Sequence, residues 1–399
     1  MTILAKRVEQ IKPSFTLEMV SRAADLKSEG VDLINFSAGQ PDFNTPKNII
    51  DAAKKAMDMG ATKYTAGSGT LDLRKAICLK IKRENKINIS HTNVLVSNGE
   101  KQSLSLACQA LFQSGDEVLI FKPYWVSFPE FVSLADANPI FVDTDSENNF
   151  EPSEETLKSK ISNSVKGIII NSPSNPTGSI WSNDKIISIL KMAKQHNWVV
   201  ISDECYERLV FDGNFTSVEK LNKDLNIGAN IITCMSMSKT YSMTGWRIGY
   251  SFGEKKIIDA MSKIQGQSTS CANSISQAAS VEALIGDQSE VEKMLKNFRE
   301  RRDLIVSLLN KIPGVKCNLP GGAFYAFPNF ENYMGKFFND IEIINSFVLS
   351  ELFLTEANVV TVPGDGFGAP GHIRFSYPVS KKIITEGIGR INNFLEKLA

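Results

Sequence analysis

Apolar and polar positions follow a repeated pattern along the middle of the chain. Short runs rich in Val and Ile are each followed by a stretch in which apolar residues return every three or four positions. The runs lack strict alternation, as expected for strands that are buried on both faces. Strands separated by helical segments predict parallel βαβ units. The predicted strands cover 93–97, 116–121, 166–172, 198–203 and 230–236.

A change in this pattern predicts a mixed sheet and a second domain. The next strand-like run, 247–252, follows too soon for a crossover helix, so we expect it to lie antiparallel. Beyond residue 290 a long amphipathic helix, short strands around Gly and Pro turns, and a final helix indicate an α+β region. We therefore predict an α/β fold. Its large domain, 46–289, holds a mixed, mostly parallel sheet flanked by helices, and a smaller α+β domain combines 1–45 with 290–399.

Composition narrows the class of protein. The 399 residues include 44 Lys and Arg and 44 Asp and Glu, so the formal net charge is zero and gives no reason to expect nucleic acid or a membrane surface as partner. Six scattered cysteines without a CxxC pair favour reduced thiols. No signal-peptide pattern or membrane-length apolar run is present in the sequence. We expect a cytoplasmic protein.

Polar and aromatic side chains follow almost every predicted strand. Because ligands of open α/β sheets bind at the carboxyl ends of the strands, these side chains are candidates for one site. Each has an ordinary interpretation when taken alone, such as a helix cap, a turn former, a core aromatic or a solvated lysine. Taken together they form a set that coincidence would rarely supply: Gly99, Glu100, Lys101, Trp125, Asn175, Asp203, Tyr206, Ser236, Ser238 and Lys239.

The set matches the needs of pyridoxal phosphate. Lys239, at the end of a strand, would form a Schiff base with the cofactor and later transfer protons. Asp203 would hold the proton on the pyridine nitrogen, since a carboxylate favours a nearby positive charge. We expect Tyr206 and Asn175 to hydrogen-bond the ring hydroxyl oxygen and Trp125 to stack on the ring.

Anion-binding groups complete the predicted site. The main chain of Gly99, Glu100 and Lys101 opens a helix directly after a strand, and helix N-termini bind phosphate. Ser236, Ser238 and Arg247 would add hydroxyls and a guanidinium to the phosphate site. A second arginine, Arg374, could bind the α-carboxylate of a substrate together with the main chain of Gly39.

Eight motifs carry a resemblance to a known family. They are SAGQPDF (37–43), KYTAGSGTLDLR (63–74), PYWVSFPE (123–130), NSPSNPTG (171–178), SDECYERLVFDG (202–213), SKTYSMTGWRIGY (238–250), PGGAFYAF (320–327) and HIRFSYP (372–378). With them, nearly the whole chain resembles the class I, fold-type I, pyridoxal-phosphate-dependent aminotransferases, most closely the bacterial aspartate aminotransferases. The resemblance implies the same fold, cofactor and ping-pong amino transfer.

The resemblance also implies a homodimer with shared active sites and a dicarboxylic substrate. Tyr64 matches a tyrosine that reaches the cofactor phosphate of the partner subunit. Lys101, Ser14 and Thr16 match groups that hold the substrate's side-chain carboxylate, and Trp125 and Asn175 match further substrate contacts. Glu100 departs from the family, which often has a small residue there. A carboxylate would repel a phosphate, so we expect the Glu100 side chain to face away from it.

Other functions remain open at this point. Some relatives with the same lysine also transaminate prephenate, and aromatic amino acids are further possible donors. A β-lyase or an aminocyclopropane-carboxylate-forming enzyme would use the same lysine, aspartate and arginines. A pyridoxal-phosphate-sensing regulator would need a DNA-binding module and a basic patch, and neither is evident in this sequence.

Overall fold

The computed structural model describes residues 4–11, 15–213 and 215–398. Its strands are β1 Ile34–Asn35, β2 Val94–Ser97, β3 Glu117–Phe121, β4 Asn138–Val142, β5 Val165–Asn171, β6 Val199–Asp203, β7 Asn230–Ser236, β8 Gly249–Gly253, β9 Tyr325–Ala326, β10 Phe337–Phe338, β11 Ile341–Glu342, β12 Val359–Val360, β13 Val362–Pro363 and β14 Ile373–Ser376. Its helices are α1 Lys6–Gln10, α2 Phe15–Ser28, α3 Lys47–Asp58, α4 Leu71–Lys80, α5 Glu100–Leu111, α6 Ser127–Leu134, α7 Glu154–Lys158, α8 Asn183–His196, α9 Val218–Asp224, α10 Lys255–Ser268, α11 Ser274–Ile285, α12 Ser289–Leu309, α13 Ser346–Ala357 and α14 Lys381–Leu395.

A mixed sheet forms the centre of the fold. Among the described residues it has seven strands in the order β2-β8-β7-β6-β5-β3-β4. Strands β7, β6, β5, β3 and β4 pair in parallel, whereas β8 is antiparallel to both β2 and β7. The prediction of a mixed, mostly parallel sheet is therefore confirmed. The apolar pattern does not predict β4, because Asn138 and Pro139 open that strand and Pro is rare inside sheets.

Both faces of the sheet are covered, which explains the continuous apolar runs. Ile169 and Ile201 pack with Leu104 of α5 and other apolar residues on one face. Their chain neighbours Ile168 and Val200 belong to a second cluster on the opposite face, with residues of α8 and α9. Successive strand residues point to opposite faces, so two-sided burial requires apolar residues at nearly every position.

The N-terminal segment pairs with the C-terminal region. Strand β1 is parallel to β12, and the Phe36 amide donates to the Val360 carbonyl at 2.8 Å. The Ser376 amide donates to the Phe36 carbonyl at 2.7 Å, which brings β14 beside residues 36–38. Strand β14 is the centre of a small antiparallel sheet with β13 and β9, and it carries Arg374. The domain boundaries at 45/46 and 289/290 stay a prediction.

The sequence contains no apolar run of membrane length, and the helices of the structure can be compared with that prediction. Within the described ranges, no helix combines the length and the apolar character needed to cross a bilayer.

Candidate active site

A cavity of about 420 Å³ lies at the carboxyl ends of β5, β6 and β7. Its lining combines acidic, basic, aromatic and hydroxyl groups in one partly open cavity. The lining residues are Ala38, Gly39, Gln40, Glu100, Lys101, Trp125, Asn171, Asn175, Asp203, Cys205, Tyr206, Ser236, Ser238, Lys239, Thr244, Arg247, Tyr325 and Arg374.

Lys239 follows the end of β7 and extends into this cavity. Its Nζ donates to the Gly39 carbonyl oxygen at 2.5 Å, so the amine links the loop after β1 to the main sheet. Burial lowers the pKa of Lys239. A lowered pKa raises the neutral fraction of the amine, which is the nucleophilic and proton-accepting form.

Asp203 and Glu100 bring two carboxyl groups to the same side of the cavity. Asp203, the last residue of β6, is 4% exposed and accepts a hydrogen bond from the Cys205 amide at 3.1 Å. Burial raises the pKa of Asp203 to about 6, and Lys239 opposes that rise. Burial and the charge of Asp203 raise the pKa of Glu100 well above its usual range. The two neighbouring buried carboxyl groups therefore oppose each other's ionisation.

Two tyrosines and an arginine form the opposite side. The hydroxyl oxygens of Tyr206 and Tyr325 lie 2.7 Å apart, and burial raises the pKa of both, so both phenols stay neutral. Arg374 is 2% exposed, with its guanidinium carbon 4.7 Å from the Tyr325 ring centroid. Its Nη1 donates to Asn175 Oδ1 at 2.9 Å, and its Nη2 donates to the Ser37 carbonyl at 3.0 Å.

A glycine-lined cradle surrounds the N-terminus of α5. Gly99 caps this helix with φ of +80°, and a Cβ on Gly99 would lie 2.3 Å from Arg247 Nη2. A Cβ on Gly249 would lie 2.1 Å from the Glu100 amide nitrogen. Only glycine at both positions permits this approach of backbone and guanidinium. The Ser238 amide donates to Ser236 Oγ at 3.0 Å, so the hydroxyl-bearing turn is ordered beside the cradle.

Lys101 and Trp125 lie next to each other on the cavity wall. The Lys101 Nζ is 5.4 Å from the centroid of the Trp125 ring, within the range of a cation–π contact. Burial lowers the pKa of Lys101, and the charge of Arg247 adds to the effect. A cation in the first turn of a helix opposes the helix dipole, so this position does not stabilise α5.

Most of the predicted site residues meet in this one cavity, and their roles stay predictions. Gly99 lies beside it as the cap of α5. Tyr64 is 89% exposed and does not line the cavity of its own subunit, so its predicted role in a partner's site is not tested. Ser14 lies outside the described residues, and so does the side chain of Thr16.

Sequence reasoning missed part of the lining. Tyr325 lies in the PGGAFYAF motif and Asn171 ends β5, and a polar residue at a strand exit was the available signal for Asn171. Asn171 Oδ1 accepts from the Asn175 amide at 2.9 Å and so orders the turn that carries Asn175. The other missed residues, Ala38, Gln40, Cys205 and Thr244, lie in the motifs SAGQPDF, SDECYERLVFDG and SKTYSMTGWRIGY.

The model of a known family matches most of the chain. The family described as Aminotransferase class I and II matches residues 31–391. The chain belongs to this family.

Named aminotransferases are similar over nearly the full length. The aspartate aminotransferase of Bacillus sp. (strain YM-2) is 41% identical over 395 residues, which cover 99% of each chain. The probable aspartate/prephenate aminotransferase of Rickettsia bellii (strain RML369-C) is 43% identical over 394 residues, which cover 98% of each chain. The solved aspartate aminotransferase of Rhizobium meliloti has a TM-score of 0.95 at 37% identity and covers 100% of both chains. The predicted aminotransferase fold is thereby confirmed.

Proposed function

We propose that this aminotransferase moves the amino group of aspartate or glutamate to a 2-oxo acid by a ping-pong mechanism with pyridoxal phosphate. One observation carries the proposal: a single cavity holds the amine of Lys239 together with Arg247, which suits the cofactor phosphate, and two further cationic side chains, Arg374 and Lys101, for the substrate. Two cations suit a substrate with two carboxylates. The names of the similar proteins, which include aspartate aminotransferase, agree with this substrate class.

The residues present fit pyridoxal phosphate. The amides at the start of α5, the Arg247 guanidinium and the hydroxyls of Ser236 and Ser238 offer the donors that a phosphate needs, and Gly99 leaves room for it. When bound, pyridoxal phosphate supplies an aldehyde that condenses with amines and a protonated ring that withdraws electrons from the substrate Cα.

Asp203 would hold the proton on the ring nitrogen. The Cys205 amide donates to Oδ1 of its carboxylate, and the two carboxylate oxygens together have further lone pairs that could accept a ring N–H. Its low exposure strengthens the attraction between opposite charges. The phenol of Tyr206 and the amide nitrogen of Asn175 supply neutral donors for the ring hydroxyl oxygen.

Lys239 would accept the proton from the substrate Cα and return it during amino transfer. The lowered pKa of Lys239 brings its proton affinity closer to working pH, which is where general acid–base catalysis is most effective. The bond to the Gly39 carbonyl fixes the position of Nζ within the cavity.

Arg374 and Lys101 would bind the two ends of the substrate. Arg374 is held by Asn175, by the Ser37 carbonyl and by the face of Tyr325, and its Nε has no partner among the described residues. We assign it the α-carboxylate, assisted by the main chain of Gly39, because a guanidinium forms paired bonds to a carboxylate. We assign Lys101 the side-chain carboxylate. Ser14 and Thr16 stay proposed helpers of Lys101.

We also propose a homodimer in which Tyr64 enters the partner's site. The support is the high exposure of this aromatic side chain, 89%, together with its place in a motif shared with the family. The hydroxyl of an exposed tyrosine could donate a hydrogen bond to the cofactor phosphate in the partner's site.

The test is a panel of amino donors and oxo acids with the purified protein and added cofactor. Aspartate with 2-oxoglutarate should release oxaloacetate and glutamate in equal amounts. A higher kcat/KM for prephenate than for every other oxo acid would move the assignment to prephenate transamination. Release of ammonia from aspartate without an equal amount of glutamate would replace the transferase by a lyase.

A further inference from the structure

Glu100 is a buried carboxyl group, and one of its two oxygens lacks a hydrogen-bond donor among the described residues. It is the first residue of α5 and only 6% exposed, and it lines the cavity. No hydrogen-bond donor in the described ranges reaches its Oε1. An acidic residue in a first turn normally stabilises a helix from the surface. A buried, unpaired carboxylate is costly instead, so this position needs another explanation.

The neighbours of Glu100 indicate where its proton lies. Its carboxyl group contacts Asp203 and the Cys205 thiol. Two adjacent buried carboxylates would leave Lys239 as the nearest compensating charge, and repulsion would oppose the second ionisation. Protonation of Glu100 removes this repulsion, because its O–H can then donate to the Asp203 carboxylate. The titratable groups that face Glu100 from the packed elements are Asp203, Cys205, Cys234, Lys239 and Tyr250.

We propose that Glu100 is a positioning residue for the ring nitrogen of the cofactor. Its protonated carboxyl group donates a hydrogen bond to Asp203 and keeps that carboxylate ionised and oriented. This rests on the proposed function, in which Asp203 holds the ring proton. Glu100 acts through Asp203 and does not touch the substrate.

The arrangement has a direct electrostatic consequence. A hydrogen bond from a neutral donor stabilises the Asp203 anion without adding a second negative charge to the site. Burial raises the pKa of Glu100, so the donor is present below that raised pKa and is lost as the pH rises through it. The support of Asp203 should therefore weaken on the alkaline side.

The first measurement concerns the proton itself. Infrared difference spectra of the full-length protein near neutral pH should contain a protonated-carboxyl band that is absent from Glu100→Gln. Glu204→Gln is the matched control, since Glu204 is buried beside Asp203 in sequence but does not line the cavity. The control should retain the Glu100 band. Identical spectra for the wild type and Glu100→Gln would overturn the proposal.

The second measurement uses the pH dependence of the bound cofactor's absorption and of kcat. Glu100→Gln keeps an N–H donor but cannot titrate, so it should stay within about threefold of wild-type kcat and lose the alkaline change in the spectrum. Glu100→Ala has no donor and should lose about 10- to 100-fold in kcat, as expected for one hydrogen bond to a charged group. Its KM should change much less.

The outcomes separate this proposal from the function on which it rests. A wild-type protein that binds no pyridoxal phosphate and transfers no amino group contradicts the proposed function, whatever the infrared spectra contain. A wild type that transaminates, with Glu100→Ala matching its spectra and kcat at every pH, overturns only the role of Glu100. An equal loss of kcat in Glu100→Gln and Glu100→Ala also overturns it, because the N–H donor that Gln retains should preserve most of the activity.

Discussion

Lys80 and Lys239 both have lowered pKa values, and they differ in their partners. Lys80 of α4 is 1% exposed, and its Nζ contacts Glu207, lies 3.5 Å from Glu84 Oε2 and donates to Asn85 Oδ1 at 3.2 Å. Burial lowers the pKa of Lys80 to about 8. Lys239 also has a lowered pKa, but its described hydrogen bond goes to the Gly39 carbonyl, and it faces the cavity.

The comparison of Lys80 with Lys239 indicates that burial and a shifted pKa do not by themselves identify a catalytic lysine. The groups around Lys80, namely Glu84, Glu204, Glu207 and Arg208, form a charge cluster that we call the core cluster. Acidic and basic side chains pair with each other in this cluster, and Lys80 does not line the cavity that Lys239 faces. Lys239 has space next to its amine, and it forms no ion pair with another residue in the described part of the chain. A catalytic lysine needs open space beside its amine and freedom from an ion pair, because its proton and lone pair must remain available for the reaction.

The strongest test of this comparison is Lys239→Ala. Loss of the amine removes cofactor attachment and the proton carrier together, so kcat should fall by at least about a thousandfold. Stability should change little, because Lys239 has no ion pair to break. Amino transfer from aspartate and urea unfolding of the same preparation measure the two effects. Wild-type turnover by this variant would contradict the assigned role.

Lys80→Met is the matching change in the core cluster. It should destabilise the fold by about 3–5 kcal/mol, because acidic groups that paired with Lys80 stay buried without it. The folded protein at low temperature should retain most of its kcat. A catalytic loss as large as that of Lys239→Ala would erase the distinction between the two lysines.

Asp203→Asn should give the next largest effect on activity. An amide cannot hold the proton on the ring nitrogen by charge, so kcat should fall by at least about a hundredfold while cofactor still binds. Absorption of the bound cofactor and kcat measure the two separately. Glu204→Gln is the neighbouring control and should keep nearly wild-type kcat, because hydrogen bonds from Ser202, Ser217 and the Val218 amide occupy its side chain.

The parallel sheet explains how far the sequence could predict this site. Residues at the carboxyl ends of adjacent parallel strands must meet at one edge, so Asn175, Asp203 and Lys239 could be placed together from the order of the strands alone. Glu100 could not be placed in the same way. It begins a helix, and whether its side chain points to solvent or to Asp203 depends on how α5 lies on the sheet.

The C-terminal region was harder to predict in detail. Its strands β9, β12 and β13 are two residues long, too short for a period to appear in the sequence. Tyr325 lies on one of them, and its contact with Tyr206 joins residues 119 positions apart. The sequence also gives no signal for the burial of Lys80, since its carboxylate partners come from both the turn Ile81–Asn85, which follows α4, and the segment after β6. Long-range contacts of this kind carry no local signal.

Lys101→Ala should affect the choice of substrate more than catalysis itself. Loss of one charged contact should lower kcat/KM for aspartate and glutamate by about 10- to 100-fold, while donors without a side-chain carboxylate change much less. Lys122→Ala is a suitable control, because Lys122 lies outside the cavity and pairs with Asp143 at 2.9 Å. Equal losses for all donors would remove the argument for a dicarboxylic substrate.

The smallest expected effect concerns the stability of the core cluster. Burial raises the pKa of Glu204 from 4.5 to about 7, so the folded state binds this proton more tightly than the unfolded state does. Between those values stability must fall as pH rises, by at most about 3 kcal/mol from this group. Glu204→Gln cannot titrate and should flatten that part of the profile in urea unfolding at a series of pH values. The exposed Glu147→Gln should leave the slope unchanged, and an unaltered slope in Glu204→Gln would mean that Glu204 is already ionised at low pH.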